Sequence, residues 1–128
     1  MKIAKNLMIA LLISAAFAAC KKDDGPGVKS IEGVWVGKWG DGSDEPSYYY
    51  KLQVKKGGEL VRWDEDGDVI ATGTWSLDGI NFEGSYTMNN GYSFSVKALF
   101  SDIAGELTGT WGEGDSYANG GTFDLKKQ

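Results

Sequence analysis

The stretch Tyr48-Tyr49-Tyr50-Lys51-Leu52-Gln53-Val54-Lys55 decides the fold class. Successive side chains of an extended strand point to opposite faces, so Tyr48, Tyr50, Leu52 and Val54 share one face while Tyr49, Lys51, Gln53 and Lys55 share the other. A helix would instead need apolar positions at i, i+3, i+4 and i+7, and no long segment after Ile31 carries that stripe. Downstream, Gly57-Gly58 closes a tight turn into a short strand, Glu59 to Trp63. Asp68 to Leu77 then places Val69, Ala71, Gly73, Trp75 and Leu77 on one side. The dipeptides Asp78-Gly79 and Asn90-Gly91 read as hairpin turns framing Ile80 to Met88, where Ile80, Phe82, Gly84, Tyr86 and Met88 face inward. Tyr92 to Phe100 sets Tyr92, Phe94, Val96, Ala98 and Phe100 against Ser93, Ser95 and Lys97, with Leu99 as the exception. Ala104 to Gly112 turns Gly105, Leu107, Gly109 and Trp111 inward. After the loop Glu113 to Asn119, Gly120 to Lys126 does the same with Gly121, Phe123 and Leu125. Upstream, Ile31 to Trp39 aligns Gly33, Trp35, Gly37 and Trp39.

Eight strands joined by short hairpins make a meander, and about eight is the number that closes into a barrel whose interior is filled by side chains or holds one small ligand. The expected fold is therefore all-β, a single eight-stranded antiparallel up-and-down barrel over residues 31–128. A β sandwich is the alternative, because alternation does not show whether a sheet closes. The outward positions Lys51, Gln53, Ser85, Thr87, Lys97, Thr108 and Thr110 are polar, where a porin-like barrel would carry an apolar band. The barrel is expected to stand in water. Glycine and a large aromatic recur two apart in Gly33-Val34-Trp35, Gly73-Thr74-Trp75, Gly109-Thr110-Trp111 and Gly121-Thr122-Phe123. Each unit sets a missing side chain beside a bulky ring on one face, so rings are expected to lie over the glycine gaps of neighbouring strands.

At Gly33-Val34-Trp35 the chain resembles the calycin barrels, lipocalins and avidins, which often open their first strand with Gly-x-Trp at the closed end. Gly37-Lys38-Trp39 and Gly105-Glu106-Leu107-Thr108-Gly109-Thr110-Trp111 are similar to avidin wording. The lipocalin Thr-Asp-Tyr motif and late-strand arginine are missing, and near a biotin contact only Ser43 is found. The resemblance implies a barrel with a cavity and names no ligand.

The amino terminus carries a different message. Lys2 and Lys5 precede an uncharged apolar run from Leu7 to Ala19, too short for the roughly 20 residues a membrane-spanning helix needs. Phe17-Ala18-Ala19-Cys20 resembles the lipobox of bacterial lipoproteins, with Phe17 where Leu is commoner. The resemblance implies that residues 1–19 are a signal peptide and that Cys20 becomes an acylated terminus held in a membrane by its acyl chains. The alternatives are cleavage that leaves Cys20 a free thiol and a retained anchor. Residues 20–30 then form a charged, Gly/Pro-rich tether. Lys22-Asp23-Asp24 resembles an acidic export signal, so the expected location is the outer membrane of a Gram-negative bacterium, exposed at the surface.

Composition narrows the chemistry. The chain has 128 residues, and removing residues 1–19 leaves one domain's worth of sequence. The signal takes Lys2 and Lys5 and no acid, so 11 basic residues remain against 18 acidic ones, a balance of −7 that argues against nucleic acid. There is no histidine, which removes His-dependent triads and His-ligated zinc sites, and with Cys20, the single cysteine, acylated, soft-metal and thiol-nucleophile chemistries go too. Asp64-Glu65-Asp66-Gly67-Asp68 is a weak Ca²⁺ candidate through Asp64, Asp66 and Asp68, but it lacks the distal glutamate of an EF-hand and reads more simply as an acidic hairpin tip. Asp41, Asp44 and Glu45 read the same way. The inward faces carry essentially no acids, so neither catalysis nor a cofactor is expected.

The function expected is binding of an apolar or aromatic small ligand in one mouth of the barrel, by Trp35, Trp39, Tyr48, Tyr50, Trp75, Phe82, Tyr86, Phe94 and Trp111, with room left by Gly37, Gly73, Gly84 and Gly109. Two alternatives belong to other classes. One is a protein-interaction module such as a protease inhibitor, disfavoured by the acylated terminus and the missing disulfide. The other is a glycan-binding module using Tyr49, Trp63 and Tyr117. The sequence names no protein partner.

Overall fold

The computed structural model describes residues 30–128. The expected signal peptide, Cys20 and all of the expected tether but its last residue lie outside the described residues. Eight strands follow in order: β1 (Gly33–Asp41), β2 (Tyr48–Val54), β3 (Glu59–Trp63), β4 (Val69–Asp78), β5 (Asn81–Met88), β6 (Ser93–Ser101), β7 (Glu106–Glu113) and β8 (Gly121–Lys127). Each pairs antiparallel with the next, and β1 pairs with β8 from Trp35↔Lys127 to Asp41↔Gly121. The sheet is a closed up-and-down barrel, which rules out the sandwich.

The alternation read from the sequence holds through the strand centres. Trp35, Leu52, Leu60, Ala71, Phe82, Val96, Leu107 and Leu125 are all fully buried. It fails at the turns. Asp78 pairs with Asn81, so the two-residue turn is Gly79-Ile80, and Ile80 is exposed rather than inward. Gly79 takes φ +62, open to glycine without strain. Tyr92 likewise lies in the β5–β6 turn, 68% exposed, and Val69 sits exposed at the start of β4. Gly105 falls in the turn before β7. Ser95 points outward as expected, yet it is buried, because its hydroxyl donates to the carbonyl of Gly114 at 2.6 Å under the β7–β8 loop.

The glycines do something other than the sequence suggests. A Cβ on Gly37, Gly73, Gly109 or Gly121 would stand 1.8 to 1.9 Å from a carbonyl oxygen of the neighbouring strand. At these four positions the missing side chain admits backbone, letting paired strands close in as the barrel wall coils. Gly84 is filled instead by Leu60 and Val96, with the edge of the Phe82 ring 3.5 Å from where a Cβ would stand, and the ring of Trp111 covers Gly120. Gly37, Gly73, Gly84 and Gly109 therefore make no room for a ligand.

One end of the barrel is shut. Ile31 is buried there and accepts the indole N–H of Trp35 at 2.8 Å. Lys127 reaches from the end of β8 to donate to the carbonyls of Ser30 and Glu32, with its ammonium 5.5 Å from the Trp35 ring. The opposite end is framed by the loops following β1, β3, β5 and β7.

Candidate functional site

At that second end lies a cavity of about 90 Å³ lined by Trp39, Tyr50, Arg62, Tyr86, Phe94 and Trp111. The strands place each ring. Trp39 ends the inward row of β1 and meets Trp111 of β7 edge to face, with centroids 5.3 Å apart. Trp111 is fixed by its N–H, which donates to the carbonyl of Gly40 at 2.9 Å, and it meets Phe94 at 5.9 Å. Phe94 meets Tyr86 at 5.9 Å. Tyr50 closes the floor edge to face with Phe123 at 5.5 Å. Its hydroxyl is 2.9 Å from that of Tyr86.

Burial pushes the Tyr50 phenol well above its ordinary value; the nearby Tyr86 adds to the rise and the Arg62 charge opposes it. Tyr86 is raised as well, again by burial, against the opposing pull of Arg62 and of its hydrogen bonds. Both phenols therefore stay neutral at physiological pH.

Arg62 is the residue that sequence reading missed. Its guanidinium carbon lies 4.9 Å from the Tyr50 ring centroid and 5.7 Å from that of Tyr86. Nη1 donates to the Tyr86 hydroxyl at 3.3 Å and toward the Met88 sulfur at 3.7 Å. Nε is buried with no acceptor among the described residues. The ion pairs among the described residues, Lys55–Glu59, Lys97–Glu83 and Lys126–Glu106, are all partly exposed and none involves Arg62. In Glu59-Leu60-Val61-Arg62-Trp63 the adjacent Leu60 and Val61 mask the alternation. The hairpin register unmasks it: Leu60 pairs with Val54 and Arg62 with Leu52, both inward residues of β2. A bulge follows at once, since Arg62 faces Ala71 while Trp63 faces Val69.

Of the nine expected ligand contacts, five line the cavity: Trp39, Tyr50, Tyr86, Phe94 and Trp111. Tyr48 stands just outside, 55% exposed, with its ring 4.7 Å from Trp39. Trp35, Trp75 and Phe82 belong to the other end. Trp35 and Phe82 are fully buried, and Trp75 stacks on Phe82 at 6.2 Å while donating to the carbonyl of Lys55. They are core.

In the acidic tip, the Asp64 carboxylate accepts the backbone amides of Asp66 and Asp68 at 3.0 and 2.9 Å. That is a turn built around one aspartate, and among the described residues no three acidic, histidine or cysteine groups converge to hold a metal. The glycan candidates are scattered. Trp63 donates to Gln53 and is covered by Lys51, whose ammonium is 5.5 Å from the ring centroid. Tyr117, from the β7–β8 loop, lies over the outer face of β4 and β5 beside Thr74, Ser76 and Ser85, and Tyr49 is half-buried on β2. Compared with protein-family models, with curated proteins and with solved structures, the chain finds no match.

Proposed function

We propose that this protein is a lipid-anchored cell-envelope protein, held at the surface of the outer membrane through Cys20, whose barrel mouth binds a small apolar or aromatic molecule. The observation that carries the binding reading is the gathering of four aromatic strand ends, Trp39, Tyr86, Phe94 and Trp111, around one cavity above Tyr50. Edge-to-face rings present both faces and edges, which suits a flat or chain-like apolar guest. A cavity of about 90 Å³ is smaller than the roughly 150 Å³ known to take benzene whole. The guest inserts one end and leaves the remainder against Trp39 and Tyr48 at the rim. The anchoring part rests on the lipobox-like Phe17-Ala18-Ala19-Cys20.

Titration with 4-phenyl-1-butanol, followed by tryptophan emission, tests the binding. A saturable shift that is lost in Trp39→Ala supports it, and no response up to the solubility limit refutes it. Mass analysis of the mature amino terminus tests the anchor, which stands on an acylated Cys20 and falls if Cys20 carries no acyl chain.

A further inference from the structure

We infer that the cavity recognises a single carboxylate group, so that the ligand is a monocarboxylic acid with an aromatic or short apolar body. The inference rests on the binding site proposed above and adds the chemistry of the ligand's inserted end. It comes from counting donors and acceptors. A guanidinium offers five N–H donors and each phenol one O–H, about seven in all. The acceptors they meet among the described residues are the two phenol oxygens and the Met88 sulfur. Three contacts use them: Nη1 to Tyr86, Nη1 to Met88, and the bond between the two phenols. Whichever tyrosine donates in that last bond, the other's hydrogen has no acceptor among the described residues. Nε–H, sealed from solvent, has none either, and the hydrogen bonds of Arg62 run through Nη1 alone. Around this cavity the described residues supply more donors than acceptors, together with one net positive charge.

A carboxylate answers both. It has two oxygens and no donor, it pairs with guanidinium groups in a fork geometry, and it carries the charge Arg62 lacks as a partner. The buried phenols cannot supply that charge, since burial keeps them protonated. Competing ligand classes fit less well. Aromatic cages often take quaternary ammonium groups, but here a guanidinium already occupies the faces of Tyr50 and Tyr86 and would repel a second cation. Dianions such as phosphate monoesters meet an acidic rim, because the mouth loops carry Asp44, Glu45, Asp64, Glu65, Asp66, Asp68 and Asp115 and no basic residue. The cavity volume is that of about three water molecules, enough for a carboxylate and the first carbons behind it.

The test compares two probes with one body, 4-phenylbutyrate and its primary amide, 4-phenylbutanamide, on the full chain. Binding is read by tryptophan emission and by the Arg62 Nε–H resonance in ¹⁵N-labelled protein. In the wild type the acid is expected to bind about tenfold or more tighter than the amide and to move the Arg62 resonance. In Arg62→Met the two probes are expected to bind alike. Arg62→Lys should keep part of the preference, since it keeps the charge and loses the fork. If Arg62→Met does not fold, the wild-type comparison and the Arg62 resonance decide. Equal binding of acid and amide in the wild type overturns this inference and leaves the apolar site standing. A preference that survives in folded Arg62→Met overturns the assignment to Arg62. No response to either probe or to 4-phenyl-1-butanol overturns the site itself.

Discussion

Replacing Gly73 by alanine tests the claim that these glycines admit backbone rather than rings. Gly73 faces Tyr86 in the β4–β5 ladder. An added Cβ would stand 1.8 Å from the carbonyl oxygen of Ser85 and 2.6 Å from the Cα of Tyr86. Real Cβ atoms essentially never come within 3.0 Å of such a neighbour, so β5 would have to retreat by about 1.2 Å. No rotamer relieves this, because the obstacle is main chain, and β5 is also paired to β6 in a closed barrel. Overpacking that side chains can absorb costs about 1–3 kcal/mol, and a purely backbone clash belongs at or above the upper end. For a domain of this size 1 kcal/mol moves the midpoint by about 4–8 °C, so the expected drop in Tm is about 12–24 °C. Gly84→Ala is the control: its Cβ would meet Leu60 Cδ2 at 2.8 Å and Val96 Cγ2 at 3.3 Å, side-chain atoms that can shift. It should cost about 1 kcal/mol. Thermal unfolding followed by circular dichroism reads both. A Gly73→Ala midpoint within about 3 °C of wild type, or no lower than that of Gly84→Ala, would refute the reasoning. Because the retreating backbone carries Tyr86, the variant should also bind 4-phenyl-1-butanol more weakly.

Three further predictions follow from the packing and the titration behaviour. Burial raises Tyr50 and Tyr86 above the ordinary value of about 10, so the unfolded chain loses these protons first. Stability is whole below that pH and falls as pH rises through the folded values, by up to about 1.4 kcal/mol per pH unit for each phenol; urea titrations at pH 8 and 11 should show a shallower decline in the Tyr50→Phe/Tyr86→Phe double variant, and an equally steep one contradicts the assignment. Phe82→Ala should cost about 3–5 kcal/mol as a fully buried core truncation, while Phe94→Ala, partly exposed at the mouth, should cost half as much or less and abolish the response to 4-phenyl-1-butanol; comparable losses of stability would erase the distinction between the two ends. Asp64→Ala removes the acceptor of two amides and should lower stability by about 1 kcal/mol, and a rise in the wild-type midpoint with millimolar Ca²⁺ would show that the turn binds metal after all.

The fold was legible because the inward rows of β2, β5 and β8 alternate without interruption through their centres, those of β6 and β7 nearly so, and a period of two admits no helical reading. Closure was legible only as a strand count, because what closes the barrel is the β1–β8 ladder, a pairing between the two ends of the domain. Where alternation ran past a strand into a turn it misplaced Ile80, Tyr92 and Gly105, since a side chain in a two-residue hairpin no longer obeys the sheet's pleat. The site was half legible. Inwardness picks out the aromatic row but not the height along the barrel axis, so Trp35, Trp75 and Phe82 at the shut end could not be told from Trp39, Phe94 and Trp111 at the mouth. Height follows from strand direction combined with register. Arg62 was hidden for a related reason: a strand of five residues with two adjacent apolar positions gives no face of its own, and its orientation comes from the β2 pairing.

Leu60 and Arg62 make the difference between the two ends a matter of chemistry. They lie on the same strand and the same inward face, two residues apart, opposite Val54 and Leu52. Leu60 is fully buried among core residues with nothing polar to satisfy. Arg62, one step nearer the mouth, brings a charge into the same row, and its Nε is sealed from solvent without an acceptor. A leucine or methionine there would pack against Tyr50, Tyr86 and Met88 without that cost; Arg62 is half-buried, and withdrawing even part of an unpaired cation from water is unfavourable. Two tyrosine faces recover part of the cost, at distances where a cation–π contact is worth about 0.5–2 kcal/mol. Among the described residues nothing supplies the remainder. A packing role for Arg62 would call for a paired acid, and the acids of the inward rows, Asp41 and Glu113 at the mouth ends of β1 and β7, make no ion pair with it. The proposed binding role accounts for this arrangement: a guanidinium with no ion pair among the described residues, at the end of the barrel where the aromatic rings surround a cavity.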